Sequence, residues 1–438
     1  MKQVIVIGGG PSGMMAAISS ARSGAKVTLL EAGQKPGRKL LLTGNGRCNL
    51  TNLSEDPASF YASSDREEAG LLVRSVLGQF CVEDTLRFFK EEGLLTFVEH
   101  GTYVYPAAGQ SSSVLDVLLR SLNALKVKLK FNEKVIAIEK NDSPADGSDG
   151  GAWNVRTKTW TYHADRVILS CGSRAVPSTG SNGNGYELSR MLGLDVTDIL
   201  PGLTAVTCCL PEADMKAYVP GSGQNKDAGK TGKETLSPDP LSEAFGTRTL
   251  AKVTVLSDGE KIASERGQIQ FTQKDLSGVV IFNLSRAVSR ALHASREVML
   301  SLDFLPDTPV KELEKLIRNL MGKYDGIRSE QILTGLVPSR IIPAVLASKE
   351  LTGESLAVTL KNFRLKATGL RGFDSAQVCV GGVKVTELDP MTLECRSQDL
   401  RGIYLTGELI DVEGPCGGYN LQWAWSSGYT AGVHAAKD

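Results

Sequence analysis

The sequence predicts an α/β protein. A nucleotide-binding domain, made from the first and last parts of the chain, is interrupted by an inserted domain. Three observations predict it. The first thirty residues run strand, glycine turn, helix, strand, and the turn carries G-x-G-x-x-G at Gly8, Gly10 and Gly13. After SRMLGL, near residue 191, the texture changes to strand-like runs broken by loops. From about residue 355 a new set of strand patterns leads into a closing helix.

The elements follow in order. VIVIG is a continuous β-branched run, as expected of a strand buried on both faces. Residues 11–23, rich in Ala, Ser and Met, read as a helix, and VTLLE as the next buried strand. Residues 82–92 and 114–125 read as amphipathic helices. KLKFNEKVIAIEK, WNVRTKTWTYHA and VILSCG read as strands, with a hairpin tip over 141–151. Residues 195–306 are strand-like, and within them 211–243 is polar and rich in Gly, Pro and Lys. VKELEKLIRNLMG and PSRIIPAVLASKEL read as helices. LAVTLKNFRLKATG, AQVCVGG and GIYLTGE read as strands, and NLQWAWSSGYTAGVHAA as the last helix. These assignments set the nucleotide-binding domain at 1–190 and 355–438. The inserted substrate or cap domain is 191–354, with a β part over about 195–306 and a helical part over about 307–350.

The bulk numbers exclude several classes. Lys plus Arg number 49 and Asp plus Glu 49, so the net charge is zero, which speaks against a nucleic-acid binder. No apolar run reaches the length of a membrane span, and MKQVIVIGGG is too short for a signal-peptide core, so a cytoplasmic location is expected. Eight cysteines form no CxxC pair and four histidines form no ligand cluster, so reduced structural thiols and no metal site are expected. Oligomeric state leaves no mark in the sequence.

Each residue of the fingerprint has a physical reason. Gly8 allows a tight turn, Gly10 lets backbone approach a pyrophosphate, and Gly13 lets helix and strand touch. With Pro11 and Ser12 they open a helix whose free N–H groups and dipole favour an anion. Glu31, at the end of the second strand, is placed to accept hydrogen bonds from ribose hydroxyls. The stretch 31–52 that follows is long, basic and glycine-rich. That favours FAD over NAD, because an extended flavin needs a second run of backbone along its body. Arg38 and Lys39 are candidates to face phosphates, and Thr43, Gly44, Asn45, Gly46 and Arg47 to lie nearer the ring. At the other end of the chain, Gly417 and Gly418 precede a helix starting near Asn420. Its N-terminus is a candidate to stabilise negative charge at the pyrimidine edge of a reduced flavin. The two tryptophans of that helix, Trp423 and Trp425, read as packing residues.

Three separated motifs, GRKLLLTGNGRCNLTN, QVCVGGVKVTELDP and GELIDVEGPCGGYNLQWAWSSG, resemble one bacterial family of NAD(P)/FAD-dependent oxidoreductases. It includes aminoacetone oxidase-like proteins and proteins similar to a bile-acid Δ4,6-reductase. The resemblance covers essentially the whole chain. It implies a Rossmann-like FAD-binding domain of the glutathione-reductase type, interrupted by an inserted domain with a β-barrel-like part and a small helical part. Residue by residue it implies FAD contacts at Gly8 to Gly13 with Glu31, at Arg38 and Lys39, and from Thr43 through Cys48 to Asn49. It further implies Val135 in the strand whose backbone meets adenine, Cys171 and Gly172 in the turn SCGS, and Gly407 and Glu408 near the ribityl chain. Gly382, Gly417, Gly418, Tyr419, Asn420 and Leu421 complete the expected cofactor set.

The expected activity is FAD-dependent oxidoreduction of a small organic molecule, by NAD(P)H-linked reduction of a conjugated C=C bond. NAD(P)H would bind transiently, since TGSNGNGYELSRMLG lacks a second G-x-G-x-x-G. The alternatives are an aminoacetone-type amine oxidase using oxygen, a flavin-dependent tRNA-modifying enzyme, and a non-catalytic flavin-binding protein. Arg47, Cys48 and Tyr419 are the catalytic candidates, and Tyr103, Tyr105 and Tyr419 are the tyrosines placed to line a substrate pocket or donate a proton.

Overall fold

The computed structural model describes residues 1–54, 56–63, 65–141, 152–211, 240–324, 326–347 and 353–437. These form two compact units, Met1–Pro201 with Phe373–Asp438, and Gly202–Gly372.

The first unit is built on a parallel five-stranded sheet. Its order is Ile403–Leu405, Arg166–Leu169, Gln3–Ile7, Lys26–Glu31 and Lys128–Phe131. The central strand is buried on both faces, with Val6 at 0% exposure on one and Ile5 at 3% on the other, which is why its sequence is a continuous apolar run rather than an alternation. Lys128 and Lys130 lie on the outermost strand, where charged side chains block further strand pairing. Two small antiparallel sheets are added. One holds Thr51–Asn52, Tyr103–Pro106 and Thr96–Glu99, and the other Val135–Lys140, Trp153–Thr157 and Thr161–Ala164.

The first helix, Pro11–Arg22, packs against the terminal helix, Tyr419–Ala436. The contact is made of backbone. A Cβ on Gly428 would fall 2.4 Å from Ser12 O, and one on Gly432 would fall 2.5 Å from Ala16 O. Ser20 Oγ donates to Gly432 O at 2.9 Å. The contacts advance along both chains in the same direction, so the helices are parallel. Tyr419 precedes Gly428 by about nine residues, so the terminal helix starts on the order of 13 Å ahead of that contact at 1.5 Å per residue.

The second unit is a closed six-stranded antiparallel barrel. Its strands, in order around the barrel, are Val206–Cys209, Asp275–Ser277, Glu260–Phe271, Arg248–Ser257, Val298–Asp303 and Phe363–Leu370. Helix Val279–His293 packs on it, and helices Val310–Lys323, Ile342–Leu346 and Gly353–Lys361 share its core.

The structure departs from the sequence reading in several places. Arg66–Gln79 and Val279–His293 are helices that the reading did not assign. The second buries Val280, Ile281, Leu284, Val288 and Ala291, a helical period overlooked inside a strand-rich stretch. Residues 355–361 belong to helix Gly353–Lys361, not to a strand. Leu356, Ala357 and Leu360 share one face, and the strand alternation begins at Phe363. Phe363–Leu370 closes the barrel, so the second unit runs from Gly202 to Gly372 rather than over 191–354. The assigned hairpin tip at 141–151 and polar stretch at 211–243 fall mostly outside the described residues.

Gly428→Ala or Gly432→Ala should lower stability by about 1–3 kcal/mol, because each methyl overlaps backbone that cannot move alone. Gly78→Ala is the contrast. Gly78 is an exposed helical glycine with nothing within 4 Å of an added Cβ, and the change should raise stability by about 0.5–1 kcal/mol. Denaturant unfolding of the three variants measures both signs.

Candidate cofactor site

The first helix starts at a turn only glycine can make. Gly8 sits at φ +109°, where a Cβ would meet Ser170 O at 2.4 Å, and a Cβ on Gly13 would lie 1.9 Å from Gly8 O. Gly10, at the N-cap, has nothing within 4 Å of an added Cβ, and no side chain caps the helix. The result is an open approach to an uncapped helix N-terminus, the arrangement a pyrophosphate requires. Glu31 closes one side. Its two oxygens accept from Gly9 N at 2.8 Å and Gly33 N at 2.6 Å, each keeping a second acceptor position for a ribose hydroxyl.

Ser12 packs against Gly407, where a Cβ would fall 2.6 Å from Ser12 Oγ. This brings the segment bearing Glu408 to the same helix start. Lys39, expected to face phosphates, instead donates to Glu408 Oε2 at 2.6 Å, and Ser173 Oγ donates to the same oxygen at 2.7 Å. Arg38 donates to Ser178 O at 2.7 Å. Cys171 and Gly172 lie in the turn after strand Arg166–Leu169. The Cys171 thiol faces Ile7 O at 3.6 Å, and Gly172 has φ +69°. Val135 O accepts from Asn184 Nδ2 at 3.2 Å. Gly382 is required by crowding, since a Cβ there would fall 2.6 Å from Asp411 N.

The loop after Lys39 is strained. Gly44, Asn45, Gly46 and Cys48 all have positive φ, and Thr43 Oγ1 donates to Leu40 O at 2.6 Å. Arg47 makes two bonds to Glu99, 3.1 and 3.2 Å long, and its guanidinium stands 4.2 Å from the Tyr105 ring centroid. Its hydrogen bonds hold the Glu99 carboxyl below its ordinary range. Cys48 is fully buried, and burial pushes its thiol up to about 12, so it is protonated and unreactive at neutral pH. Asn49 is buried, with its amide nitrogen placed to donate to Val104 O and Thr51 O. Arg47 and Asn49 are thus engaged within the protein, and Cys48 has the surroundings of a packing residue rather than a nucleophile.

The terminal helix opens on a second glycine turn. Gly417 and Gly418 have φ of +108° and +99°, and a Cβ on Gly418 would lie 2.5 Å from the Thr51 carbonyl carbon. No side chain caps this helix either. Asn420 clasps the turn, accepting from Gly414 N at 2.8 Å and donating to Gly414 O at 2.9 Å. Tyr419, a catalytic candidate, donates its hydroxyl to Ser54 O at 2.9 Å, and Leu421 packs half-buried against the core. Both tryptophans are fully buried. The Trp423 indole donates to Gly407 O at 3.0 Å and the Trp425 indole to Leu50 O at 2.9 Å.

Sequence reasoning missed Gln422. Its Oε1 accepts from Thr51 Oγ1 at 2.6 Å, and its Nε2 donates to Thr85 Oγ1 and Ser426 Oγ, both at 2.9 Å. A polar residue between the helix's apolar positions was the available signal. Ser173 left none, since its role depends on a partner 235 positions away in sequence. Among the described residues no group of three or more His, Cys, Asp or Glu is placed to hold a metal ion, and no helix is long and apolar enough to cross a membrane.

A parallel sheet with this glycine turn, an open helix start and an acidic residue closing the second strand define a Rossmann-type FAD-binding domain. The HI0933-like protein Rossmann domain family matches residues 2–434, and the chain belongs to that family. It is 38% identical over 451 residues to the 3-dehydro-bile acid delta(4,6)-reductase of Clostridium scindens, with 100% of both chains covered. It is 24% identical to the ribosomal RNA dihydrouridine synthase of Escherichia coli K12, covering 97% of this chain and 96% of that one. A solved 3-ketosteroid-delta4-(5alpha)-dehydrogenase from Rhodococcus jostii RHA1 shares the fold, with TM-score 0.50 and 14% identity over 100% of this chain and 97% of that one.

Gly418→Val should abolish FAD retention while leaving the barrel unit folded, because the added atoms collide with Thr51 backbone at the start of the terminal helix. Flavin absorbance of the purified variant, with circular dichroism as the folding control, checks it. A second outcome follows from the thiols. Burial raises both Cys48 and Cys171 from 9.0 to about 12. Between those values the unfolded chain loses protons that the native state keeps. Stability is therefore fully present below pH 9 and falls as pH rises toward 12, by at most about 1.4 kcal/mol per pH unit per thiol. Urea unfolding at pH 8 and pH 10 measures the fall, and Cys48→Ala should reduce it.

Proposed function

We propose that the protein is an FAD-dependent oxidoreductase that reduces a C=C bond conjugated to a carbonyl in a small organic substrate, with NAD(P)H as transient donor. The observation that carries the reaction is the 38% identity, over the full length of both chains, to a delta(4,6)-reductase. The site geometry supports the cofactor.

When bound, FAD would supply hydride transfer between a nicotinamide donor and the substrate. The chain's part is binding and electrostatics. The uncapped start of helix Pro11–Arg22 would hold the pyrophosphate, and Glu31 the adenosine ribose. Lys39 and Ser173 both donate to Glu408 Oε2 and hold that carboxylate beside the start of helix Pro11–Arg22, where it would meet the ribityl chain. Gly417 and Gly418 leave the N-terminus of helix Tyr419–Ala436 bare, and its dipole would stabilise negative charge at the pyrimidine edge. The thiols of Cys48 and Cys171, both pushed up to about 12, take no part as nucleophiles.

A second reading, reduction of a uracil ring in RNA, has the 24% identity to the dihydrouridine synthase behind it. It shares the same chemistry, addition of hydrogen across a C=C bond beside a carbonyl. The zero net charge weighs against it. The test is anaerobic turnover of the FAD-loaded protein with NAD(P)H. A 3-oxo-4,6-diene steroid acid should be consumed together with NAD(P)H. Dihydrouridine appearing in added ribosomal RNA would favour the second reading. Peroxide released from an amine in air, without NAD(P)H, would overturn both in favour of an oxidase.

A further inference from the structure

We propose that a cavity at the C-terminal end of helix Pro11–Arg22 is a second binding site, which takes a free α-amino acid with an aromatic side chain. The proposal is independent of the reductive reading above. The cavity has a volume of about 350 Å³ and lies wholly within the first unit. Its walls come from the last turn of helix Pro11–Arg22, from helix Val82–Glu91 and the residues leading into it, and from helix Tyr419–Ala436. The candidate pyrophosphate site is at the opposite end of helix Pro11–Arg22. The 12 residues of that helix, at 1.5 Å each, set the two sites on the order of 18 Å apart.

Two hydroxyls on the cavity wall are unmet. Ser19 is 4% exposed, and its hydroxyl has no hydrogen-bond partner among the described residues. The hydroxyl of the half-buried Tyr429 likewise has none among them. Such groups are positions that a ligand's polar atoms can satisfy. Beside them stands an aromatic wall. Phe80 and Tyr429 stack with ring centroids 4.5 Å apart and planes inclined by 22°, and Phe88 meets Phe80 edge-on at 6.4 Å. Water would serve the hydroxyls but not the ring faces, which a planar ring covers well.

Both signs of charge line the same space. Arg22 and Arg87 are the cations, and Asp84 and Glu91 the anions. Arg87 Nη1 lies 2.9 Å from Asp84 Oδ1, and the Arg22 guanidinium, paired with Glu92, stands 5.0 Å from the Phe88 ring centroid. This balance decides the ligand class. A simple anion gains at the guanidiniums and is repelled by the carboxylates, and a simple cation meets the reverse. A molecule that carries a carboxylate and an ammonium uses both. A guanidinium takes a carboxylate through two parallel hydrogen bonds, and the three donors of an ammonium suit carboxylates and hydroxyls. With a ring to cover the aromatic wall, that molecule is an aromatic amino acid, and the cavity is large enough, since small-ligand sites begin at about 300 Å³.

The experiment is isothermal titration of the FAD-loaded protein with L-tryptophan and with L-phenylalanine, each alone. At least one should bind once per chain with a Kd below about 1 mM. The corresponding amine without the carboxylate, and the corresponding acid without the ammonium, should bind at least about tenfold more weakly. Ser19→Ala and Arg87→Gln should each weaken binding by about fivefold or more, with flavin absorbance and melting temperature kept at wild-type values. Absence of saturable binding by both amino acids would overturn the proposal. So would wild-type affinity in both variants, or an amine or acid that binds as tightly as the amino acid. Release of FAD on titration would put the ligand at the cofactor site and overturn it as well.

Discussion

The contact between the first and the terminal helix, made through Gly428 and Gly432, is the constraint on which the first unit depends. Their missing side chains let backbone meet backbone at Ser12 and Ala16. Two helices that touch this closely have one register and one rotation, because any slip drives a Cα into a carbonyl. The consequence is functional. Both helices begin at uncapped glycine turns, and the contact sets the offset between those turns. A ligand that needs an anion site and, farther on, a second helix N-terminus meets both in a fixed relation.

The terminal helix also carries its neighbours. Trp423 and Trp425 face different loops, and each uses its indole N–H to hold a backbone carbonyl, Gly407 O and Leu50 O. Gln422 does the same through side chains, joining Thr51 to Thr85 and Ser426 in a fully buried network. Buried polar groups of this kind are costly unless every partner is present, so they tolerate one arrangement of the loops and penalise others. Lys39, Glu408 and Ser173 form a smaller version of the same device, drawing three distant segments to the start of the first helix.

Much of this was legible in the sequence. The fingerprint, the first two strands and the closing helix carry local signals, namely apolar runs, glycine spacing and an acidic residue at the right distance. Gly8 and Gly13 sit where an added Cβ would meet backbone, the tight turn and close packing that their spacing implied. The Val279–His293 helix was readable in principle, but its period was lost among short apolar runs of similar composition. Helix Gly353–Lys361 is the harder case, since five apolar and polar residues in LAVTL fit a strand as well as a helix until tertiary packing selects one face.

The sequence by itself determined the Rossmann turn and the class of ligand it takes, because glycine at those positions is a steric requirement that acts over a few residues. It also set the electrical neutrality of the chain. Only the tertiary structure decided which polar groups are spent, and on which partners. Lys39 is spent on Glu408, Arg47 on Glu99 and Tyr105, and Asn420 on its own turn. Burial pushes the Cys48 thiol up to about 12, and the bare face of Gly417 is what admits the Tyr103 ring beside it. The physical reason is range. Steric demands of the backbone are local and can be read residue by residue. Hydrogen bonds, ion pairs and desolvation depend on partners hundreds of positions away, which only the fold brings together.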